Sequence, residues 1–416
     1  DKINVQGNKH VKSENITHYL KPLVGEVLEY DALSSKMMKV NLHPDREVKA
    51  VVMPGQQVGT SDLLLDVKDQ FPIHIGADVN NFGTKLTGKE RYGLSIRDTN
   101  LFGMDDIIAT RLQWGEEVFA LGAQYVVPIG PVDTRLGVSF NYTDVNVGGD
   151  FSILDIGGTA ITYGISLEQP FFDSRHVDLI WTGGFESKSV KNRLLGDPST
   201  NDELRLLHTG VNVEESDPWG RSFIVNDFTF GMDMMGASQK NDPTLSRPGS
   251  GADFFKYNIT ANRVHPVYDS TSLYLKASGQ MTSDPLVSAE QVDIGGVYSV
   301  RGYPQSDYLG DTGGGGSVEL RVPFYFIPRD VKVPWTQEPL WNRLNFVGFF
   351  DGAYAKLKRP AVGEQASRSY AGLGGGIRFD LPHNIIGRLE WASPVGDDPT
   401  DGSNGQFYFS FSGDFF

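Results

Sequence analysis

The sequence predicts an all-β membrane protein: a 16-stranded antiparallel transmembrane β-barrel behind a small N-terminal α+β module. Three observations carry that prediction. Val, Phe, Tyr, Ile and Thr recur in short, evenly spaced segments bounded by Gly, Pro, Asn and Asp, whereas the Ala-, Leu-, Glu- and Lys-rich runs of long helices are scarce. From Phe71 onward these segments alternate apolar and polar residues over about ten positions, the length that crosses a bilayer as a tilted strand. The connectors between them sort by parity, one set mostly short and the other including the long ones, as periplasmic turns and outer loops do. A soluble β-sandwich array is the alternative, since a sheet buried on one face also alternates; it predicts solubility without detergent.

Residues 1–70 differ from the rest. "KINVQGN" reads as a strand ending in a Gly-Asn turn. "SENITHYLKPLVG" reads as a helix capped by Ser13 with Ile16, Tyr19 and Leu20 on one face. "DALSSKMMKV" repeats the pattern, with Asp31 as cap and Leu33, Met37 and Val40 inward. "REVKAVVM" and "SDLLLDVKD" follow as strands joined by "PGQQVGT", giving the order β-α-α-β-β. No catalytic cluster lies in this module.

Residues 71–416 hold sixteen expected strands, at roughly 71–81, 89–99, 105–115, 118–128, 132–146, 156–169, 175–190, 203–216, 220–236, 253–266, 270–282, 314–325, 342–354, 369–381, 384–393 and 405–416. Leu136, Val138, Phe140 and Tyr142 share a face, and so do Leu273, Leu275 and Ala277. At the C-terminus Phe407, Phe409, Phe411 and Phe415 keep one phase, which Phe416 leaves by one residue. "KNRLLGDPSTND" and "GASQKNDPTLSRPGSG" read as long outer loops. "IPRDVKVPWTQEPLW" breaks the rule, being long on the short side. An even strand count returns both barrel ends to the side of the N-terminal module, and a barrel of this size needs something in its lumen.

The longest outer connector, about 283–313, contains "VYSVRGYPQSDYLGD". A loop of this length is usually functional. It either hangs in solvent or folds back into the pore, and a buried Arg301 would demand a carboxylate. "NFVGFFDGAYA" places Asp351 on a strand otherwise poor in charge, where a lone carboxylate is costly without a cation. "GGGG" at 313–316 has no following helix, so a strand start along which the folded loop passes closely is favoured over a phosphate cradle.

Val300-Arg301-Gly302-Tyr303, with "GD" at 310–311 and "ELRVP" at 319–323, resembles the signature of the superfamily that inserts or exports proteins through the bacterial outer membrane. "MPGQQVGTSDLLLDV" and "FGTKLTGKERYGLSIRDTNLFGMDD" are similar to the junction of the two-partner-secretion (TpsB) transporters, and residues 1–70 resemble a polypeptide-transport-associated (POTRA) domain. The resemblance covers nearly the whole chain. It implies that the long loop folds into the lumen and that Arg301 pairs with Asp351 of the Phe349-Phe350-Asp351 segment. The family pattern tends to carry Gly two residues after the aspartate, where this chain has Ala353. The family usually has a plug helix, a linker and two POTRA domains. This chain begins at what resembles the second, either because it is shortened or because the member is.

The implied function is export of an unfolded partner exoprotein, recognised in the periplasm over about 31–53 through Leu33, Met37, Val48 and Val51. The client would cross the lumen without nucleotide hydrolysis. A barrel-assembly insertase and a passive porin-like channel are the alternatives, and the "PG" then "SDL" junction fits the secretion branch better. The expected setting is the outer membrane, with lipid and lipopolysaccharide around a monomer and the module in the periplasm. "KLKR" at 356–359 reads as an ordinary basic loop rather than a phosphate contact. The net charge of −15 argues against nucleic-acid binding. No cysteine is present, the eight histidines form no metal-ligand pairing, and no serine lies in G-x-S-x-G, so no enzyme, cofactor or metal is expected. "DDPTDGSNG", rich in oxygen ligands, reads as a solvated turn rather than a Ca²⁺ loop. No signal peptide opens the chain, as in a mature protein or a fragment.

Overall fold

The computed structural model describes residues 2–415 apart from Leu42, Pro131, Val132, Arg175 and His383. Phe416 therefore lies outside the described residues. The N-terminal module contains β1 (Ile3–Gln6), α1 (Ser13–Thr17), α2 (Tyr30–Val40), β2 (Arg46–Pro54) and β3 (Ser61–Asp69). Its sheet runs β1-β3-β2, with β1 parallel and β2 antiparallel to the central β3. Ile16, Leu20, Leu33, Val40, Val48, Leu63, Leu65 and Val67 form the core. Neither helix is capped as the sequence suggested. Lys12 and Glu29 occupy the N-cap positions without side-chain bonds, and Ser13 starts α1 itself. Asp31 sits inside the first turn of α2, where its charge favours the positive helix end.

Sixteen strands close the barrel: β4 (Ile73–Asn80), β5 (Arg91–Asp98), β6 (Ile107–Trp114), β7 (Val118–Ile129), β8 (Thr134–Asn146), β9 (Gly157–Asp173), β10 (Val177–Leu194), β11 (Asp197–Asp217), β12 (Gly220–Gly231), β13 (Phe255–Tyr268), β14 (Thr271–Thr282), β17 (Thr312–Pro323), β18 (Leu344–Lys356), β19 (Ser367–Leu381), β20 (Ile385–Pro394) and β21 (Gln406–Asp414). The remaining pair, β15 (Val292–Ile294) and β16 (Tyr308–Gly310), makes a hairpin inside the long outer loop. Every barrel pair is antiparallel, and β21 closes on β4 through Ser410–Asp414.

Alternation sets the two faces. On β18, Phe346, Phe350 and Tyr354 face outward and are exposed, whereas Val347, Phe349, Asp351 and Ala355 face the lumen and are buried. Phe407 and Phe411 lie outward on β21, and Tyr408 inward. No helix among the described residues is long and apolar enough to cross a membrane; the strands present the apolar band instead.

One connector differs from expectation, and two others are organised in ways the sequence pattern does not show. "KNRLLGDPSTND" is not a loop: β10 and β11 extend 18 and 21 residues and meet at Leu195-Gly196. Both residues have positive φ, 57° and 80°, as a two-residue hairpin turn requires. The connector 232–254 is an outer loop with an inward side: Leu245, Ala252 and Phe254 are buried beside Leu204 and Leu206 of β11, while residues such as Met234, Met235 and Lys240 stay exposed. The long periplasmic connector folds onto the neighbouring turn, with Arg329 paired to Asp269 at 2.6 Å and the Tyr325 and Thr271 hydroxyls 2.9 Å apart.

The module is fastened to periplasmic turns of the barrel. Arg46, buried, donates from Nη1 to both Asp105 oxygens at 2.9 and 2.8 Å and from Nε to the Val40 carbonyl at 2.8 Å. Lys39 bridges Asp133 and Asp173, each at 3.1 Å. Asn15 donates to the Gly103 carbonyl at 2.7 Å, and Thr99 donates a short bond to Asp45.

Candidate functional site: a loop tip held inside the barrel

Gly302 lies in a turn with a φ of 102°, a conformation that L side chains rarely adopt. That turn brings the tip of the 283–311 loop against the inner wall of β17 to β21. Val300 and Tyr303 are fully buried, packing with Ile294, Ala355 and Tyr370. The Tyr303 and Tyr370 rings stack at 4.0 Å. Tyr408 accepts the Gly302 N–H at 3.0 Å and donates to the Tyr303 carbonyl at 3.2 Å.

Arg301, 6% exposed, is the centre of the site. Its Nε and Nη2 donate to the two oxygens of Asp351 at 2.7 and 2.8 Å, a bidentate pair. Its backbone N–H adds a third bond to Asp351 at 3.1 Å. Nη1 lies 3.0 Å from Glu319 and 3.2 Å from Glu390. The guanidinium carbon sits 3.3 Å from the centre of the Phe349 ring.

One cation facing three carboxylates would be out of balance. Arg378 restores it, reaching Glu319 and Glu390 at 2.6 Å each, and Arg321 reaches Glu319 at 2.7 Å. Three arginines thus meet three acids. A buried pair of this kind owes its strength to mutual dependence: removing one partner costs roughly 3–5 kcal/mol because the other charge is stranded.

Close approach also needs space. A Cβ at Gly372 of β19 would overlap the Arg301 carbonyl oxygen. The glycines at 313–316 do not play that part. Cβ atoms there would meet residues of the flanking strands, such as Tyr354, Ala353 and Ser278, rather than the loop.

The structure thus brings Val300, Arg301, Gly302, Tyr303, Phe349 and Asp351 together. Sequence reasoning missed Glu319, Glu390, Arg378 and Tyr408. A usable signal existed for Glu319: Ser317 pairs with Asp351 in register, so Glu319, two residues on, shares the lumen face. The four residues assigned to client recognition separate instead. Leu33 and Val48 belong to the module's core, Met37 packs against it, and Val51 alone is exposed, on the edge strand β2.

Against the opposite wall, Gly76, Ser95, Gln124, Ser139 and Asn141 line a cavity of about 460 Å³. Among the described residues no cluster of three or more His, Asp or Glu is arranged to hold a metal ion.

Residues 59–340 match the family model described as haemolysin secretion/activation protein ShlB/FhaC/HecB. The chain belongs to this family. The outer membrane transporter CdiB of Dickeya dadantii (strain 3937) is 27% identical over 316 residues, covering 73% of this chain and 56% of that protein. The heme/hemopexin transporter protein HuxB of Haemophilus influenzae (strain 86-028NP) is 21% identical over 397 residues, covering 92% and 67%. In the solved structures, CdiB from Escherichia coli superposes with a TM-score of 0.81 at 20% identity, over 100% of this chain and 76% of that one. BamA from Haemophilus ducreyi lacking POTRA domains 1-3 gives 0.68 at 14% identity, over 100% and 84%. The chain spans about half the length of several curated relatives it matches, 56% of one and 50% of another. With its outward apolar band, this family member is a β-barrel of the bacterial outer membrane.

Proposed function

We propose that the protein exports an unfolded partner exoprotein across the outer membrane, with the docked Arg301 loop holding the lumen in its resting state. The observation that carries this is the buried bidentate Arg301–Asp351 contact inside a closed barrel of this family. The N-terminal module is the capturing element, a POTRA domain in the periplasm. Its β2 lies at the sheet edge and exposes Val51 and Val52, the requirements for adding a client strand. The small, polar wall of β4 to β8 leaves the extended client room beside the loop. Movement draws on folding outside the cell rather than nucleotide hydrolysis, and the barrel works as a monomer among lipid and lipopolysaccharide.

The test is secretion. With a candidate partner exoprotein co-expressed, Arg301→Ala lowers the amount released into the medium by about tenfold or more, from the stranded-charge cost above, while the barrel still assembles and shifts on heating in gels. Normal release by the assembled variant refutes the assignment. Steady large conductance from the native barrel would support a passive channel instead.

A further inference from the structure

We propose that the connector 232–254 is a second inward-folded closure, latched to the Arg301-bearing loop by an Arg247–Asp311 pair, and that the outer mouth opens only when this latch releases. The argument starts at β11. Above Leu206 this strand has no strand partner on the β12 side, because the ladder with β12 begins at the Leu206–Gly231 pair. The connector takes that edge. Met232 and Ser238 donate their N–H groups to the carbonyls of Arg205 and Glu203, each at 2.8 Å, and Asn201 donates to the Thr244 carbonyl at 2.7 Å.

Alternation then fixes the side. Leu207 is exposed on the outer face, so Leu204 and Leu206 point into the lumen. Both are fully buried against Leu245 and Phe254 of the connector and Leu286 and Val287 of the long loop. The connector therefore lies within the mouth, not above it.

It also crosses the mouth. Arg247, 6% exposed, donates to both oxygens of Asp311, which is fully buried, at 2.5 and 2.6 Å. Its Nη2 reaches the Lys358 carbonyl, beyond β18, at 2.7 Å. From β11 to β18 there are five strand intervals, about 24 Å of wall at the usual spacing. Asp311 collects four further donors: the N–H groups of Leu286 and Lys358 at 2.9 and 2.5 Å, the Gln291 amide at 3.0 Å and, through its carbonyl, Gln280 at 3.1 Å. Three outer connectors thus converge on one carboxylate. The long loop has a separate footing on the wall: Glu290 accepts from Lys188 at 2.7 Å and Lys256 at 2.6 Å. The Arg301 contact holds the tip of the long loop; Arg247 joins that loop to its neighbour.

This closure needs only the barrel, so ion flow tests it independently of any client. In planar bilayers Arg247→Gln raises the time spent in conducting states about tenfold, and Arg247→Lys, which keeps the charge but not the bidentate geometry, falls between it and the native barrel. Conductance of Arg247→Gln equal to native overturns the proposal. Should that variant assemble poorly, a crosslink decides. The chain has no cysteine, and the Ser288 N–H donates to the Ser246 hydroxyl at 3.1 Å. Ser246→Cys with Ser288→Cys, joined by a disulfide or a short linker, suppresses the native openings, and reduction of the disulfide restores them. Openings that persist at native frequency in the crosslinked barrel overturn the proposal. Lost secretion with unchanged conductance overturns it too, while leaving the export function standing.

Discussion

Two arginines are buried to the same degree, 6% exposed each, and do opposite jobs. Arg46 fastens the N-terminal module to the barrel through one carboxylate, Asp105, while its Nε is held by the Val40 carbonyl of the module's own α2, in a contact between two separately cored parts. Arg301 fastens a loop to its own barrel through three carboxylates and an aromatic face, and buried tyrosines hold Gly302 and Tyr303 beside it. The difference teaches how rigidity is distributed. The junction is a single strong contact with weaker ones around it, which can give as a unit. The loop tip is over-determined, since the loss of any one acid leaves the cation still partnered, whereas the loss of the cation strands Asp351, Glu319 and Glu390 keeping Arg378 and Arg321.

That contrast can be broken experimentally. The largest effect is expected from Arg301→Ala: hydrogen exchange over residues 294–303 rises about a hundredfold, the size of a stranded buried charge. Arg301→Lys follows, at about tenfold, because an ammonium cannot span the two Asp351 oxygens or lie flat on Phe349. Arg46→Ala is expected to leave that exchange unchanged while freeing the module. Spin labels at Ser35→Cys and Leu101→Cys then report a broadened distance distribution. A narrow distribution would show the junction is held elsewhere, and altered exchange at the loop tip would show that the two arginines are coupled.

The smallest effect concerns pH. Asp69 sits where the module meets its first loop, and partial burial raises its carboxyl. Bonds from the N–H groups of His10, Lys9 and Val11, at 2.6, 2.8 and 3.0 Å, more than reverse this and hold it below the ordinary range. A depressed folded-state value means that its stabilisation is complete above the unfolded value near 3.8 and is lost as pH falls through the folded one. The gap in module melting temperature between the native chain and Asp69→Asn therefore holds at neutral pH and closes in acid. A gap that does not depend on pH contradicts this.

The sixteen strands were legible because alternation and turn chemistry are local properties. The extended β10–β11 hairpin was not. "LLGDPST" carries Gly, Asp and Pro, which read as loop, yet Leu195 accepts a left-handed backbone and leaves both strands intact. Arg301 was visible through the motif around it. Arg46 and Arg247 were not, since their partners lie 59 and 64 residues away and no local pattern marks either end. Inwardness of the 232–254 connector was hidden for a related reason: its Ser, Asn, Pro and Gly residues look solvated, and only the lumen face of β11 explains the buried leucine and phenylalanine among them.

The docked tip lies against Ser317 and Glu319, Phe349 and Asp351, Gly372, Glu390 and Tyr408, one or two residues from each of five successive strands. Slipping any one of them by a single residue turns its contribution toward lipid. Docking is therefore a gauge of assembly. It can be completed only after the last five strands have zipped in their final order, and a misaligned cylinder would be left with its longest loop adrift, open to quality-control proteases.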